Sequence, residues 1–244
     1  MIAISVVLIA VVLIFVAYTI KGFTGFGPAL LSVPILTLFL DLKFVLPVVL
    51  LLDLVSSSII LWQERKNVDL KGTLPIFLFY AIGTGLGFYV LISVQTAVLE
   101  KLLGLFVVFF GAKLLLSKPS KFKIGKKVDD IAKRLAGLGS GILGSLFGTN
   151  GPPIVIYYSH KLDKKKLIRG ATAPFFVIDC IWRGGMYSFA GLAGIDTLKF
   201  FLMLVPSLLL GLYLGTHLHT KIKEESFLKA IALILILAGI RLVI

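Results

Sequence analysis

Four apolar stretches, each about 20 residues or longer and carrying at most one charged side chain, restrict most what this chain can fold into. They are Ile2–Ile20, Val45–Trp62, Thr73–Leu99 and Phe200–His217. A helix of about 20 apolar residues spans the ~30 Å hydrocarbon core of a bilayer. The mean hydropathy of +1.04 is also too high for a soluble domain with a polar surface. The sequence therefore predicts an all-α membrane protein with several spans.

The net charge of +13 is explained by orientation in the membrane rather than by nucleic-acid binding. Of the 25 Lys and Arg residues, 18 lie in four short loops, 63–71, 117–134, 160–169 and 221–229. Short loops rich in Lys and Arg stay on the cytoplasmic side. No stretch interleaves basic and aromatic residues in the manner of an RNA-binding surface. We therefore expect the four basic loops to be cytoplasmic and expect no nucleic-acid partner.

The sequence contains no motif that indicates an enzyme. The single cysteine, Cys180, excludes an internal disulfide and a cysteine-rich metal site. No HExxH, Gly-x-Ser-x-Gly or P-loop pattern is present, so we expect no catalytic residue, no cofactor, no metal site and no ATP-driven pumping. The three histidines, His160, His217 and His219, are interpreted as interfacial. The apolar N-terminus lacks a basic region before it and is expected to stay in the mature protein.

The chain is predicted to contain two related halves. GFTGFGPALLSVP (22–34) and GSLFGTNGPPIVI (144–156) each interrupt an apolar stretch with glycines and proline. Further matches follow in the same order at offsets of 124 to 132 residues: Asp53 with Asp179, Gly83-Thr84 with Gly215-Thr216, and GAK (111–113) with GIR (239–241). We therefore predict a first repeat over 1–117, a basic cytoplasmic linker over 118–134 and a second repeat over 135–244, together forming one transmembrane domain.

The positions of the basic loops predict how each repeat enters the membrane. If 135–160 crossed once, the basic loops on either side of it would face opposite sides of the membrane. A re-entrant hairpin with FGTNGPP (147–153) at its tip keeps both in the cytoplasm, and its arms of about 14 and 9 residues are too short to cross singly. Residues 1–40 would form the matching hairpin. Each repeat then adds three spans, so the second repeat is inverted relative to the first.

The two breaks are predicted to form the substrate site. Irregular backbone at membrane depth requires protein or a water-filled cavity around it. Pro28 and Pro152 suit the first turn of a helix, whose free N–H groups attract anions. The predicted substrate-binding residues are Thr24, Gly25, Phe26, Gly27, Gly148, Thr149, Asn150, Gly151 and Arg183. The alternative is that both breaks are kinks whose small residues allow close helix packing.

Three charged residues inside the apolar segments are candidates for ion coupling or for structural pairing: Asp53, Asp179 and Lys21. Arg183 follows Asp179 by four residues, so it either neutralises that carboxylate or contacts the anion. It has no basic counterpart in the first half, where the corresponding region is SSS (56–58). Lys21 borders the first break, where it either lines the substrate path or extends toward the membrane surface.

Both break motifs resemble those of a known family. GFTGFGPALLSVPIL followed half a chain later by GSLFGTNGPPIVIYY resembles the TauE/SafE family, the sulfite-exporter group of membrane permeases, and the resemblance covers nearly the whole chain. It implies secondary transport of small sulfur-containing anions, such as sulfite, thiosulfate, sulfoacetate or related organosulfonates, across a prokaryotic plasma membrane. A permease or channel for a carboxylate or a cation, a membrane-embedded enzyme and a non-transporting scaffold remain alternatives. Direction, coupling ion and oligomeric state stay open.

Overall fold

The computed structural model describes residues 3–68, 70–116, 126–162, 165–218 and 224–244, and within these ranges the chain is helical apart from short turns. Ten α-helices and one short 3-10 turn (Arg65–Asn67) follow one another along the described chain. The helices are α1 (Ile4–Thr24), α2 (Pro28–Thr37), α3 (Leu42–Gln63), α4 (Leu70–Ser93), α5 (Thr96–Leu116), α6 (Lys126–Phe147), α7 (Gly151–Lys161), α8 (Lys165–Phe189), α9 (Ile195–Leu218) and α10 (Glu224–Val243).

Four helices in the described ranges are long and apolar enough to cross a membrane, and they confirm the four stretches read from the sequence. They are Ile4–Thr24, Leu42–Gln63, Thr73–Ser93 and Ile195–His217. The uncharged stretch Thr73–Leu99 extends past the end of α4 at Ser93 and into α5, which starts at Thr96. The prediction of an all-α membrane protein with several spans is therefore confirmed.

On helix α4, large apolar side chains lie on the outward face and glycines lie on the face that packs against another helix. On α4, large side chains recur every four residues and are more than half exposed: Leu74, Leu78, Ile82 and Leu86. Residues spaced by four lie on one helix face, so this ridge faces outward. The opposite face carries Gly83 and Gly87, which pack against α6. An outward ridge of leucines is what lipid chains solvate, and an inward row of glycines lets two helices approach closely.

Helices of the first half pack mainly against helices of the second half. The main contacts between the two halves are α1 with α9, α4 with α6, α5 with α10, and α3 with α8. Glycines make three of these contacts close. A Cβ on Gly22 would lie 2.7 Å from the carbonyl oxygen of Leu212, one on Gly104 would lie 2.6 Å from that of Gly239, and one on Gly83 would overlap that of Leu138.

Both glycine-rich motifs break the helix, as expected. Helix α1 ends at Thr24, Gly25 and Gly27 both adopt φ of 88°, and α2 starts with Pro28. Helix α6 ends at Phe147, Gly148 adopts φ of 70°, and α7 starts with Gly151. Glycine takes these left-handed conformations without steric penalty. Helices α2 and α7 have only 10 and 11 residues, which at ~1.5 Å per residue is about half the hydrocarbon thickness.

After each break the chain returns toward the end at which it entered. The last residue of α7, Lys161, places its Nζ 2.8 Å from Asp129 Oδ2 in the first turn of α6. The residues at the start of α1 and those just after α2, from Ala3 to Val7 and from Phe39 to Asp41, line one groove. The first arm of each hairpin, α1 or α6, is the longer one. Helix α1 has 21 residues, and α6 exceeds the predicted length of about 14 residues because it begins at Lys126, inside the segment predicted as linker.

The described basic loops gather at one end of the molecule. Arg169 Nε lies 3.4 Å from Glu64 Oε1, which joins the start of α8 to the loop after α3. Gly170 packs against the backbone of Asn67, and the Asp129–Lys161 pair adds the start of α6. At the other end, Phe44 and Asp196 to Met203 line the groove that contains the start of α1. Residues 117–125 and 219–223, parts of the basic loops, lie outside the described ranges.

Candidate functional site

The two breaks meet in the middle of the fold. A Cβ on Gly151, the first residue of α7, would lie 3.2 Å from the Phe26 ring and 3.8 Å from the backbone nitrogen of Gly27. A small cavity lies beside this contact, between both breaks and the middle of α3 and α8. It is lined by Lys21, Phe26, Gly27, Pro28, Asp53, Ser57, Asn150, Phe176, Asp179 and Cys180. The sequence motifs from opposite halves thus share one site.

On the first-half side, a lysine is paired with a carboxylate. Lys21 Nζ lies 2.9 Å from Asp53 Oδ1 and donates a second hydrogen bond, also 2.9 Å, to Ser57 Oγ. The hydroxyl of Tyr18 donates to the same Asp53 oxygen at 3.0 Å. Tyr18 and Lys21 are three residues apart on α1, so they present their side chains on one helix face. Lys21 is 2% exposed, which excludes an extension toward the membrane surface.

On the second-half side, an arginine is paired with the matched carboxylate. Arg183 Nε and Nη2 each donate to one oxygen of Asp179, both at 2.6 Å. Asp179 also accepts hydrogen bonds from the Tyr80 hydroxyl and from the side-chain amide of Asn150. The remaining guanidinium nitrogen, Nη1, donates to the carbonyl oxygen of Gly144 at 2.7 Å. A fork that matches both carboxylate oxygens makes this the more rigid of the two ion pairs.

Helix α8 supplies an arginine to the end of each broken helix. Arg169 Nη1 donates to the carbonyl oxygen of Gly22 at 2.7 Å, and Arg183 does the same for Gly144. These glycines are the first residues of the two matched motifs. Each lies in the last turn of its helix, where the helix dipole favours a cation; the Gly144 carbonyl also accepts a hydrogen bond of 2.9 Å from the backbone N–H of Gly148. The carbonyl ends of α1 and α6 are therefore held by α8, away from the cavity.

The amino ends of α2 and α7, by contrast, have no side-chain cap. In the first turn of α2, Ala29 and Leu30 carry N–H groups that have no i−4 partner within the helix; in the first turn of α7 only Gly151 does, because Pro152 and Pro153 lack an N–H group. Thr149, just before α7, is 2% exposed and its hydroxyl has no hydrogen-bond partner in the described part of the chain. These unpaired donors give the region a positive potential.

The cavity is small. Its volume is about 10 Å³, roughly the space that one water molecule needs. An oxyanion with three or four oxygen atoms is larger than that. Anion binding at this position therefore requires the two breaks to move apart.

The predicted site residues are distributed unevenly around this cavity. Phe26, Gly27, Asn150 and the three candidate charges Lys21, Asp53 and Asp179 line it. Thr24 instead bonds to the backbone of Ile20 and Phe26, and Gly148 packs on Val33 and Leu46. Gly25 lies under Arg169, while Thr149, Gly151 and Arg183 lie just behind the lining.

Four further residues at the site were not predicted: Tyr18, Ser57, Phe176 and Cys180. One of them had a usable signal. Ser57 follows Asp53 by four residues, as Arg183 follows Asp179, so the repeat offset already placed it at the matched position. Tyr18 has the weaker signal of helical spacing from Lys21. Phe176 and Cys180 are apolar or weakly polar residues of α8, and nothing in their local sequence distinguishes them from core residues.

Comparison with known proteins agrees with the resemblance of the break motifs. The family model described as "Sulfite exporter TauE/SafE" matches residues 10–242. The chain belongs to the TauE/SafE sulfite exporter family. No curated protein and no solved structure matches it.

Family membership places the site in a transport protein. The TauE/SafE match implies a membrane transporter of sulfite-type anions, and the four span-length helices agree with a membrane location. The small cavity lies between the two broken helices. The residues around it can supply backbone donors and a lysine to an anion.

Proposed function

We propose that this TauE/SafE protein is a secondary transporter that carries small sulfur-containing oxyanions, such as sulfite, thiosulfate or organosulfonates, between the breaks at Gly25–Pro28 and Thr149–Pro153. The observation that carries the proposal is the convergence of two uncapped helix amino ends, from α2 and α7, on one buried cavity. Helix amino ends bind oxyanions through N–H groups and a positive dipole end.

The charges around the cavity support a site that depends on backbone donors. Lys21 and Arg183 are each paired with a carboxylate, Asp53 and Asp179, so the four charges cancel. A fixed unpaired cation at membrane depth is costly in the empty site, whereas helix ends provide positive potential with little desolvation. Thr149, whose hydroxyl is buried and unpaired, adds a donor next to α7.

We further propose that the two halves form an inverted repeat. The helix pairing supports this, because exchanging α1–α5 with α6–α10 converts the α1–α9 contact into the α6–α4 contact and leaves α5–α10 and α3–α8 unchanged. The glycine contacts obey the same exchange: Gly211 and Gly215 meet the carbonyls of Phe15 and Thr19, while Gly83 and Gly87 meet those of Leu138 and Ile142. The contacts of α1 and α6 with the helices after their breaks support re-entrant hairpins.

The proposed location is the plasma membrane of a prokaryote, with the basic loops in the cytoplasm. Three of the four basic segments come together at one end through the Glu64–Arg169 and Asp129–Lys161 pairs. A shared end for Lys- and Arg-rich loops is what the positive-inside rule requires.

A cation permease is the second candidate, because two carboxylates, Asp53 and Asp179, line the cavity. Each is already paired with a basic side chain, which favours the anion. A carboxylate permease would use the same helix ends and is separated from a sulfur-anion permease only by its substrates.

Flux into proteoliposomes tests the proposal. Purified protein is reconstituted and challenged with sulfite, thiosulfate and sulfoacetate, with acetate, succinate and manganese(II) as comparison solutes and protein-free liposomes as background. We expect saturable flux of at least one sulfur anion and none of manganese. Saturable flux of acetate or succinate alone would identify a carboxylate permease, and manganese flux alone a cation permease. Flux of no solute would contradict the transport proposal.

A further inference from the structure

The two ion pairs at the cavity differ in how many bonding positions remain free. Both oxygens of Asp179 and all three guanidinium nitrogens of Arg183 are occupied by the partners named above. In the other pair, Lys21 and Tyr18 both bond to Oδ1 of Asp53. The second oxygen, Oδ2, has no hydrogen-bond partner among the described residues, and the Asp53 side chain is 11% exposed toward the cavity. Asp53 can therefore accept a proton without losing an existing bond at that oxygen.

Lys21 is the cation that can change partner. Its ammonium makes two hydrogen bonds of 2.9 Å, to Asp53 Oδ1 and Ser57 Oγ, and one long contact of 3.5 Å to the backbone oxygen of Asp53. A lysine ammonium sits on a flexible stem and has no fixed fork geometry, unlike arginine. Lys21 also lies in the last turn of α1, a few residues before the amino end of α2, so it lines the same cavity as the proposed anion site.

The net charge of the four ionisable side chains at the cavity indicates that an entering anion must be accompanied by a positive charge. With Lys21, Arg183, Asp53 and Asp179 all ionised, the site is neutral, and an anion alone would leave a net negative charge at membrane depth. An uncompensated buried charge is strongly unfavourable. A proton on Asp53 removes one negative charge and frees Lys21, so the site is neutral again with a monovalent anion and carries one negative charge, instead of two, with a divalent anion such as thiosulfate.

We propose that Asp53 takes up a proton at Oδ2 with each anion that enters the cavity, and that this protonation transfers Lys21 from Asp53 to the bound oxyanion. The inference rests on the proposed transport of sulfur oxyanions. One O–H bond forms between a proton from bulk water and Asp53, Lys21 stays protonated throughout, and release of the anion reverses both steps. The transporter is therefore a proton–anion symporter in which the ion pair of the first half carries the coupling.

The surroundings of Asp53 leave few other groups for this role. Tyr18 and Lys21 face it from α1, and Asp179 and Cys180 approach from α8, with Arg183 behind Asp179. Helix α2 (PALLSVPILT) has no titratable side chain. The titratable side chains of α9, namely Asp196, Lys199, Tyr213 and His217, are exposed, and Glu100 of α5 lies near Asp41 at the start of α3. Asp53 is thus the carboxylate at the cavity with an unbonded oxygen.

The first test uses wild-type protein, so its outcome does not depend on whether a variant folds. Proteoliposomes containing a trapped pH-sensitive dye receive an inward thiosulfate gradient without a pH gradient. Thiosulfate is fully ionised near neutral pH and brings no proton of its own, so internal acidification reports protons moved by the protein; sulfite is measured in parallel against protein-free liposomes. We expect acidification that saturates together with anion uptake. Anion uptake without acidification would overturn the symport and leave the transport proposal standing, whereas no uptake of any sulfur anion would overturn both.

Asp53→Asn tests the site of protonation. The amide resembles the protonated acid and leaves Lys21 free, so we expect loss of acidification while exchange of labelled thiosulfate stays measurable, which means that the number of protons moved per thiosulfate falls to zero. Asp53→Glu restores the titratable group and is expected to restore acidification. An Asp53→Asn protein that still acidifies the vesicles would show that the proton binds elsewhere.

Lys21→Gln and the double variant Lys21→Gln/Asp53→Asn separate an anion contact from a structural pair. A lost charge-assisted hydrogen bond weakens thiosulfate binding about ten- to a hundredfold. We expect Lys21→Gln to lower both the melting temperature and thiosulfate affinity. The double variant removes the unpaired carboxylate and is expected to recover the melting temperature but not the affinity. Recovery of both would mean that Lys21 only neutralises Asp53, which contradicts the proposal.

Discussion

At the scale of single residues, the unpaired hydroxyl of Thr149 is the clearest indication of a ligand. Buried polar atoms are nearly always hydrogen-bonded, and an unsatisfied one lowers stability. Thr149 Oγ1 is buried beside the amino end of α7 and has no hydrogen-bond partner among the residues that the structure describes. Its neighbour Asn150 is different, because the side-chain amide is already used by Asp179. Thr149 is therefore the better residue for testing the break as a binding site.

Thr149→Val should leave folding intact and weaken transport. Valine has nearly the same shape, and since the hydroxyl has no partner, the melting temperature should stay equal or rise. If the hydroxyl donates to the anion, its loss costs about 1 kcal/mol of binding, equivalent to a several-fold higher half-saturating concentration of sulfite. Thr37→Val is the matched control, because the Thr37 hydroxyl bonds to Val33 in α2. Wild-type transport kinetics in Thr149→Val would rule out this hydroxyl as a substrate contact.

The Arg183–Asp179 pair should behave as a structural unit. Arg183→Gln leaves Asp179 as a buried carboxylate without its cation, and breaking such a pair costs about 3–5 kcal/mol. Adding Asp179→Asn removes that charge and should recover most of the loss, which thermal unfolding of the three variants in detergent measures as a coupling energy. Additive losses in the double variant would show that the two side chains act independently, and would favour an anion contact for Arg183.

Part of the site could be predicted from sequence, and the missing part has a physical reason. The break motifs and the matched carboxylates Asp53 and Asp179 carry strong local signals, since clustered glycines followed by proline break a helix and a charge inside an apolar segment is costly. The sequence could not decide whether Arg183 serves Asp179 or the anion, nor assign Lys21 to Asp53, 32 residues away. The contact of Arg169 with Gly22 spans 147 residues and has no local signature.

At the scale of helices, close packing through glycine accounts for the three tight helix pairs. Water does not drive helices together inside a bilayer, so association depends on van der Waals contact and on how closely the backbones approach. On α4, Gly83 contacts α6 while Gly85, two residues on, points to open space. Two glycines on one helix therefore have opposite roles, and sequence spacing alone does not reveal which is which.

Gly83→Ala and Gly85→Ala should differ sharply in stability. At position 83 a Cβ would overlap the carbonyl oxygen of Leu138, a backbone atom that cannot move without separating α4 from α6. We expect a loss of about 1–3 kcal/mol, as for other overpacked positions. At position 85 nothing lies within 4 Å, so alanine should be neutral or stabilise the helix by up to about 1 kcal/mol. Equal melting temperatures for the two variants would contradict the close α4–α6 contact.

The helix contacts also revise how the repeats correspond. Sequence similarity matched Gly83-Thr84 with Gly215-Thr216, an offset of 132. The packing instead pairs Gly83 with Gly211 and Gly87 with Gly215, one helical turn away, because these are the glycines that meet equivalent carbonyls. Sequence matching compares residue types, whereas packing depends on which face of the helix contacts the neighbouring helix. Within the proposed repeat, the sequence matches predict the order of the corresponding elements, whereas the packing indicates a register that differs by one helical turn.

At the scale of the whole molecule, the arrangement of charge links fold to orientation. The Glu64–Arg169 and Asp129–Lys161 contacts gather the described basic loops at one end, and residues at the starts of α3 and α9 line one groove at the other. A single crossing by residues 135–160 would separate the basic loops, whereas a returning hairpin keeps them together. The proposed inverted repeat follows from three spans per repeat, an odd number.

Cysteine accessibility tests this topology directly. In a Cys180→Ser background, Ser120→Cys and Asp163→Cys probe the loops on either side of the α6–α7 hairpin, and Ala193→Cys probes the junction between α8 and α9. Because both flanking loops are basic and the intervening segment returns, we expect Ser120→Cys and Asp163→Cys to react with a membrane-impermeant thiol reagent only after the cells are opened. Ala193→Cys should react in intact cells, since the 25 residues of α8 (Lys165–Phe189) are long enough to carry the chain across in the proposed topology. Reaction of only one of the first two cysteines in intact cells would show that residues 135–160 cross the membrane once, and the second repeat would then not be inverted by the route proposed.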